Sequence, residues 1–412
     1  MQLQKKITKA LGAIGPGFII AAVALGPGSI TTASKIGATQ GYDYLWAILL
    51  AAISMAVYTG MSTRFAVMNR QSILRVIESK YGRWLSYGIG ISSFLASLSF
   101  QFGNNLGVGM GMESITGINV QIWPAVFTIF AIILIFVAKN LYATLEKLMM
   151  YIVMLIIMAF VVNLVFVKPD VSQTISGFIP SSFSTDYIGE LAAIVGTTFV
   201  LNSALYQSYL VQKKKWQVTN MKMAIKASNT GVFLLALMSV LIIMTSAASL
   251  KPLGIQVNSA ADMAIQLELL LGSYAKYIFA IGFLAASFSS LLVNAVIGGG
   301  LLADGLGMGQ AMDKKMPKIF TTFILVAGMI VAILVASGLS SPVYSLILAQ
   351  SSSMIAVPLI GIGLLLIVNR TDVMGTFKNS LAQNILAILG LILLCVLVYM
   401  MYSKLINYII NL

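Results

Sequence analysis

Apolar runs of roughly 20 residues recur along this chain from end to end, each long enough to cross a ~30 Å hydrocarbon core as a helix. Of its 412 residues, 59% are apolar and only 9% charged. A soluble domain has about a quarter of its residues charged, so no soluble core accounts for this balance. The chain reads as one integral membrane domain, and its first partner is the lipid bilayer. Lipid leaves backbone polar groups no water to pair with, which restricts the spans to helices. Eleven spans are expected, at about 12–38, 42–67, 84–110, 121–138, 145–168, 187–212, 224–250, 272–303, 318–338, 342–368 and 380–409. The stretch 252–271 reads as an external loop with a short amphipathic helix. The basic segment Met1 to Thr8 precedes no small-residue cleavage site and soluble domain, so it leads into the first span rather than forming a signal peptide.

The net charge of +13 has an explanation in its location. With the N-terminus in the cytoplasm, 20 of the 25 lysines and arginines fall on the cytoplasmic side and five outside: Lys35, Lys168, Lys251, Lys276 and Lys404. That bias sets a multi-pass topology in the cytoplasmic membrane, with the C-terminus outside. It also makes Lys213-Lys214-Lys215 a membrane anchor and argues against a nucleic-acid partner. All twelve acids lie near span ends or in loops, and there is no histidine. The usual proton carriers are therefore missing from mid-membrane. The single cysteine, Cys395, excludes an intramolecular disulfide and a thiolate cluster, and no catalytic constellation is present, so the chain is not an enzyme.

Two spans look interrupted. The first contains Gly26-Pro27-Gly28-Ser29-Ile30-Thr31-Thr32, where proline removes a backbone donor, two glycines relax the chain and hydroxyls can cap a new helix near Ile30. The sixth contains Gly196-Thr197-Thr198-Phe199-Val200-Leu201-Asn202-Ser203, polar in mid-span. Unwound backbone survives at membrane depth only when buried in protein or lining a cavity. In a five-plus-five inverted repeat, span six is the counterpart of span one, and paired breaks of this kind mark a transporter's central site. The repeats are expected at 1–168 and 187–368, with 380–409 as an extra helix. In span eight, Ala286, Ser289 and Ser290 share one helical face. Gln101, Asn104 and Asn105 in span three can line a pathway or bond between helices. Gly298-Gly299-Gly300 reads as a close helix contact, since no Lys-Ser/Thr signature follows.

These residues resemble the NRAMP family of divalent-metal transporters, which have the leucine-transporter type of inverted-repeat fold. Gly15-Pro16-Gly17-Phe18 through Trp46 is similar to the family's first two spans, and Gly282 to Leu306 to its eighth. Ala349-Gln350 to Pro358, followed by Asp372-Val373-Met374-Gly375, is similar to its tenth span and the next loop. The family's Asp-Pro-Gly-Asn motif falls on Gly26, Pro27, Gly28 and Ser29, so glycine stands for the metal-binding aspartate and serine for the asparagine. Its Met-Pro-His motif falls on Val200, Leu201 and Asn202, and a second histidine on Gln207; Gln350 alone keeps a family polar ligand.

The resemblance implies a substrate site at Gly26, Gly28, Ser29, Thr197, Val200, Asn202, Ser203 and Gln350, with Gln101, Asn104, Asn105 and Gln207 along the pathway. The face of Ala286, Ser289 and Ser290 is similar to the sodium site of the wider leucine-transporter superfamily. By family the cargo is a divalent cation such as manganese or magnesium. The donors present are neutral, however, and a bare divalent ion in a low-dielectric site needs charge and several ligands. They suit a monovalent cation, a polar neutral molecule or a small anion. Three readings follow: a cation importer with altered ligands, a sodium-coupled carrier of a small organic or carboxylate solute, and a membrane sensor that no longer transports. No cofactor beyond a bound monovalent cation is implied. The intact pair of polar breaks argues against the sensor.

Overall fold

A computed structural model describes residues 24–137, 157–180, 187–309 and 314–410, with 17, 19, 21, 151 and 154 as isolated positions and the backbone alone at 269 and 404–410. The expected first span before residue 24, the start of the fifth span and the motif residues Gly15 and Pro16 lie mostly or wholly outside the described residues. Every described secondary-structure element is helical.

The first span resumes as α1 (Pro27–Gln40), followed by α2 (Leu45–Met68), α3 (Ile73–Tyr81), α4 (Arg83–Thr116) and α5 (Ile122–Val137). Then come α6 (Ile157–Val167), α7 (Val171–Gly177), α8 (Ile188–Thr198), α9 (Leu201–Lys213) and α10 (Met221–Ser249). The remainder are α11 (Ala275–Gly305), α12 (Lys315–Leu334), α13 (Pro342–Ser353), α14 (Pro358–Val368) and α15 (Leu381–Ile410). Among the described residues, six helices are long and apolar enough to cross a membrane, and the pair α13–α14 makes a seventh. The long helix α4 carries Gly, Ser, Asn and Gln at its buried positions, and they dilute its hydropathy. It is a core helix whose polar groups face protein instead of lipid.

Local chemistry explains several boundaries. The short helix α3, unforeseen between spans two and three, begins at Ser72, whose side chain accepts from Arg75 N. It stops at Gly82, whose φ of +89° only glycine adopts readily. α1 starts at Pro27 rather than near Ile30, because proline at the first helical position forfeits a donor that would be unpaired anyway. The span expected at 84–110 runs on to Thr116, where Gly117 closes it in the left-handed region. The loop 252–271 folds into the short helical turns Ala260–Ala264, Ile265–Leu267 and Glu268–Leu271. It is not a free loop, since Gln266 is fully buried, donates to Ser34 Oγ and Met263 O, and accepts from Thr245.

The helices pack in two groups. α10 packs on α1 and α2, and α2 on α9, while α4 and α11 form the largest helix interface and are backed by α12 and α5. α13 bridges the groups, touching α4, α8 and α1. Small residues permit the close approaches. A Cβ built on Gly298 would lie 2.4 Å from Ser97 Cβ, and one on Gly299 would lie 2.5 Å from Thr321 N. The triple glycine is thus a helix contact, as the missing phosphate-loop signature implies. Cys395 is exposed on α15.

Candidate transport site at the facing helix breaks

The breaks in spans one and six flank α1 and α8, which pack on each other and on α13, where Gln350 lies against both Gly28 and Gly196. In span one, Leu25 N still bonds to Ala21 O at 2.8 Å, the chain extends through Gly26, and α1 then starts without a side-chain cap. The Ser29 hydroxyl donates back to Ala24 O, stitching the two pieces together. The Pro27 ring rests where only glycine leaves room, since a Cβ on Gly107 would lie 2.2 Å from Pro27 Cβ.

In span six, α8 ends at Thr198, and Phe199 and Val200 are non-helical before α9 begins. That break falls inside the polar run 196–203 where it is expected. It is held by packing: Phe199 is buried and its ring lies 5.4 Å from that of Tyr58.

Around these breaks the structure assembles part of the expected set. A Cβ on Gly26 would lie 2.7 Å from Ser290 Oγ and 3.1 Å from Asn104 Oδ1, so both side chains stand against the bare position. A Cβ on Gly28 would lie 2.0 Å from Gln350 Nε2, so the Gln350 amide fills the volume that glycine leaves. Gly196 sits against Gln350 O and the Met354 side chain. Asn104, Gln350, Ser290, Thr198 and Ser203 are all buried. Both side-chain polar atoms of Asn104, together with Gln350 Oε1, Thr198 Oγ1 and Ser203 Oγ, have no hydrogen-bond partner. Such atoms cost free energy unless a ligand or water satisfies them.

Other expected residues are engaged elsewhere. Asn202 Nδ2 donates to Ser97 Oγ at 3.1 Å, and its Oδ1 accepts from Ser203 N at 2.8 Å. Thr197 donates to Ile194 O. Val200 is buried apolar surface. Gln101 donates to Leu291 O and accepts from Asn294, while Asn105 donates to Gln101 O and accepts from Thr128. Gln207 lies almost two turns into α9, where its Nε2 donates to Ser228 Oγ at 2.6 Å and its Oε1 has no partner. Ala286 and Ser289 are buried on α11 beside Ser290.

Two features escape the sequence reading. Span ten bends by 42° between Pro342–Ala356 and Pro358–Val368, just after Gln350. Pro358 is the signal, since the residue before a proline disfavours helix. In addition, Asp304 at the end of α11 is the only buried carboxylate among the described residues. Its Oδ2 accepts from Tyr209 Oη at 2.7 Å, and Ser72 and Arg75 face it. Arg75 donates to Glu78 and, at 2.7 Å, to Gly307 O, and Arg83 also bonds Glu78. Ser72, Arg75, Glu78, Arg83 and Asp304 line a cavity of about 860 Å³. No group of three or more His, Cys, Asp or Glu able to hold a metal exists among the described residues.

An all-helical membrane protein with facing breaks in corresponding spans is a transporter of the inverted-repeat type, and not an enzyme. Its fold matches that of the Eremococcus coleocola manganese transporter, solved as its H236A mutant, with a TM-score of 0.81 at 18% identity over 96% of this chain and 87% of that one. MhsT, solved with L-phenylalanine, matches with a TM-score of 0.60 at 16% identity over 93% of this chain and 98% of that one. The divalent metal cation transporter MntH of Deinococcus radiodurans is 25% identical over 412 residues, covering 97% of this chain and 91% of its own. The model of natural resistance-associated macrophage protein-like proteins matches residues 17–404. The chain belongs to the Nramp family, and it is a multi-pass membrane protein.

Proposed function

We propose that this protein moves a small polar solute across the cytoplasmic membrane by alternating access, using the facing breaks as its central site. The family's cargo, a divalent cation, is carried here with much of its water shell. One observation supports this most directly: Asn104 offers both an unpartnered amide N–H₂ and an unpartnered carbonyl, next to the unpartnered carbonyl of Gln350. A bare cation satisfies carbonyls but not an amide donor. Metal-bound water, or a polar organic solute, satisfies both. Gly26 supplies no charge and Val200 no thioether, so selection among transition metals is weak.

A second reading, a sodium-coupled carrier of a small organic or carboxylate solute, draws on Ala286, Ser289 and Ser290. They are buried on one face, and the Ser290 hydroxyl adjoins the break at Gly26. The first backbone N–H groups of α1 favour a carboxylate at the same place.

Proteoliposome uptake separates these readings. The cation reading expects saturable manganese and magnesium uptake of similar efficiency that ignores a sodium gradient. Solute uptake that requires sodium and is lost in Ser290→Ala supports the second reading instead, and overturns the first if neither metal enters. Restoring ligands adds a check. Gly26→Asp with Ser290→Gly and Val200→Met is expected to bind manganese more tightly than the parent in calorimetry and to favour it over magnesium.

A further inference from the structure

We propose that a groove on the outer face of α10 is a binding site for one anionic phospholipid, with its phosphate held by Lys222 and Lys226 and an acyl chain running along Phe233. The groove has a volume of about 530 Å³ and is lined by Lys222, Ile225, Lys226, Asn229, Thr230 and Phe233. These positions recur every three or four residues, so they form one helical stripe. Chemistry is graded along it. Two exposed lysines come first, then the carboxamide of Asn229, then the exposed ring of Phe233. Lys226 and Phe233 are seven residues apart, or about 10 Å along a helix. That matches the step from a lipid phosphate to its upper acyl chain.

Three observations favour an anion here. The chain has no Asp or Glu between Glu190 and Asp262, while lysines stand at 213, 214, 215, 222, 226 and 251. Neither Lys222 nor Lys226 takes part in an ion pair among the described residues. Finally, Trp216 is half-buried and packs with Met221 and Ala224 at the same end of α10. Indoles are enriched at the membrane–water interface, and one at the end of a span beside these lysines is consistent with their lying at headgroup level. Juxtamembrane lysine clusters of this kind attract acidic lipid.

The site has a direct route to transport. On the opposite face of the same turns, α10 meets the first span backbone to backbone. A Cβ on Gly231 would lie 2.0 Å from Gly17 O, and one on Gly17 would lie 2.2 Å from Ala227 O. A lipid seated behind those turns therefore braces the helix on which the first half of the broken span rests.

Native mass spectrometry of the intact protein titrated with phosphatidylglycerol tests the site. One retained lipid per protein is expected, with affinity weakened about fivefold in Lys222→Gln or Lys226→Gln and about 25-fold in the double variant. Lys222→Arg/Lys226→Arg keeps the charge and is expected to retain the lipid, and Lys251→Gln, at the other end of α10, to bind as the parent does. Monodispersity and thermal midpoint in phosphatidylcholine nanodiscs verify that each variant is folded. Glycerol phosphate without acyl chains is expected to give no thermal shift. The proposal fails if the double glutamine variant retains phosphatidylglycerol like the parent. It also fails if glycerol phosphate or inorganic phosphate stabilises the protein as strongly as the lipid, since the groove then holds free phosphate.

Discussion

At the facing breaks, Asn104 and Gln350 carry polar atoms with no partner and no charge. At the far end of α11, Asp304 carries the only buried carboxylate among the described residues, and Tyr209, Ser72 and Arg75 surround it. The two regions lie on the same pair of packed helix groups and follow opposite rules. The end cluster joins α3, α9 and α11 through satisfied bonds, so its charge serves the fold. The centre leaves bonds open, so its polarity is available to a passing ligand. If the proposed site is right, stability and cargo recognition are separated along the molecule, and substitutions are expected to divide the same way.

The largest effect is expected at the end cluster. Asp304→Ala strips the Tyr209 hydroxyl of its acceptor and is expected to lower stability by about 2–3 kcal/mol, measured by thermal unfolding in detergent. An unchanged midpoint would erase the contrast. Asn104→Leu is the converse. It removes two unmatched atoms, so the midpoint is expected to stay or rise while uptake falls about tenfold. A stability loss without a transport defect would make Asn104 structural. Gly28→Ala comes next, because its Cβ must displace the Gln350 amide, the far end of a flexible side chain. Uptake is expected to fall severalfold at a stability cost of about 1–3 kcal/mol.

The smallest effect belongs to Asp372, fully exposed in the turn after α14. Hydrogen bonds from Arg370, then Lys80, hold its carboxyl below the usual carboxylate range. A lowered carboxyl contributes above its unfolded value and loses that contribution as pH falls through the folded one. Thermal midpoints of the parent and Asp372→Asn should therefore keep a small constant offset from neutral pH down to about 4 and converge below it.

Much of the architecture was readable because lipid imposes length and apolarity on each span. The break at Phe199–Val200 was readable for the same reason, since a polar run inside an apolar span has few explanations. The bend at Pro358 was not, because it follows Ser351-Ser352-Ser353 in a segment whose overall apolarity masks the proline. Gln101, Asn104 and Asn105 looked alike as three amides one turn apart. Their difference is a matter of helical direction: Gln101 and Asn105 point at bonding partners on α11 and α5, and Asn104 points at the break. Asp304 read as a span-end acid because Tyr209, which buries it, comes from 95 residues earlier in the chain. The Ser29 hydroxyl bonds across its own break, and Asn202 bonds Ser97 on α4 and Ser203 N, partners that sequence alone does not reveal.

The crowding around Gly26 has a consequence for what can stand there. An aspartate introduced there alone collides with Ser290 and Asn104, and trimming Ser290 alone opens an empty pocket. A carboxylate at position 26 therefore requires the Ser290 and Asn104 side chains to move aside or be replaced.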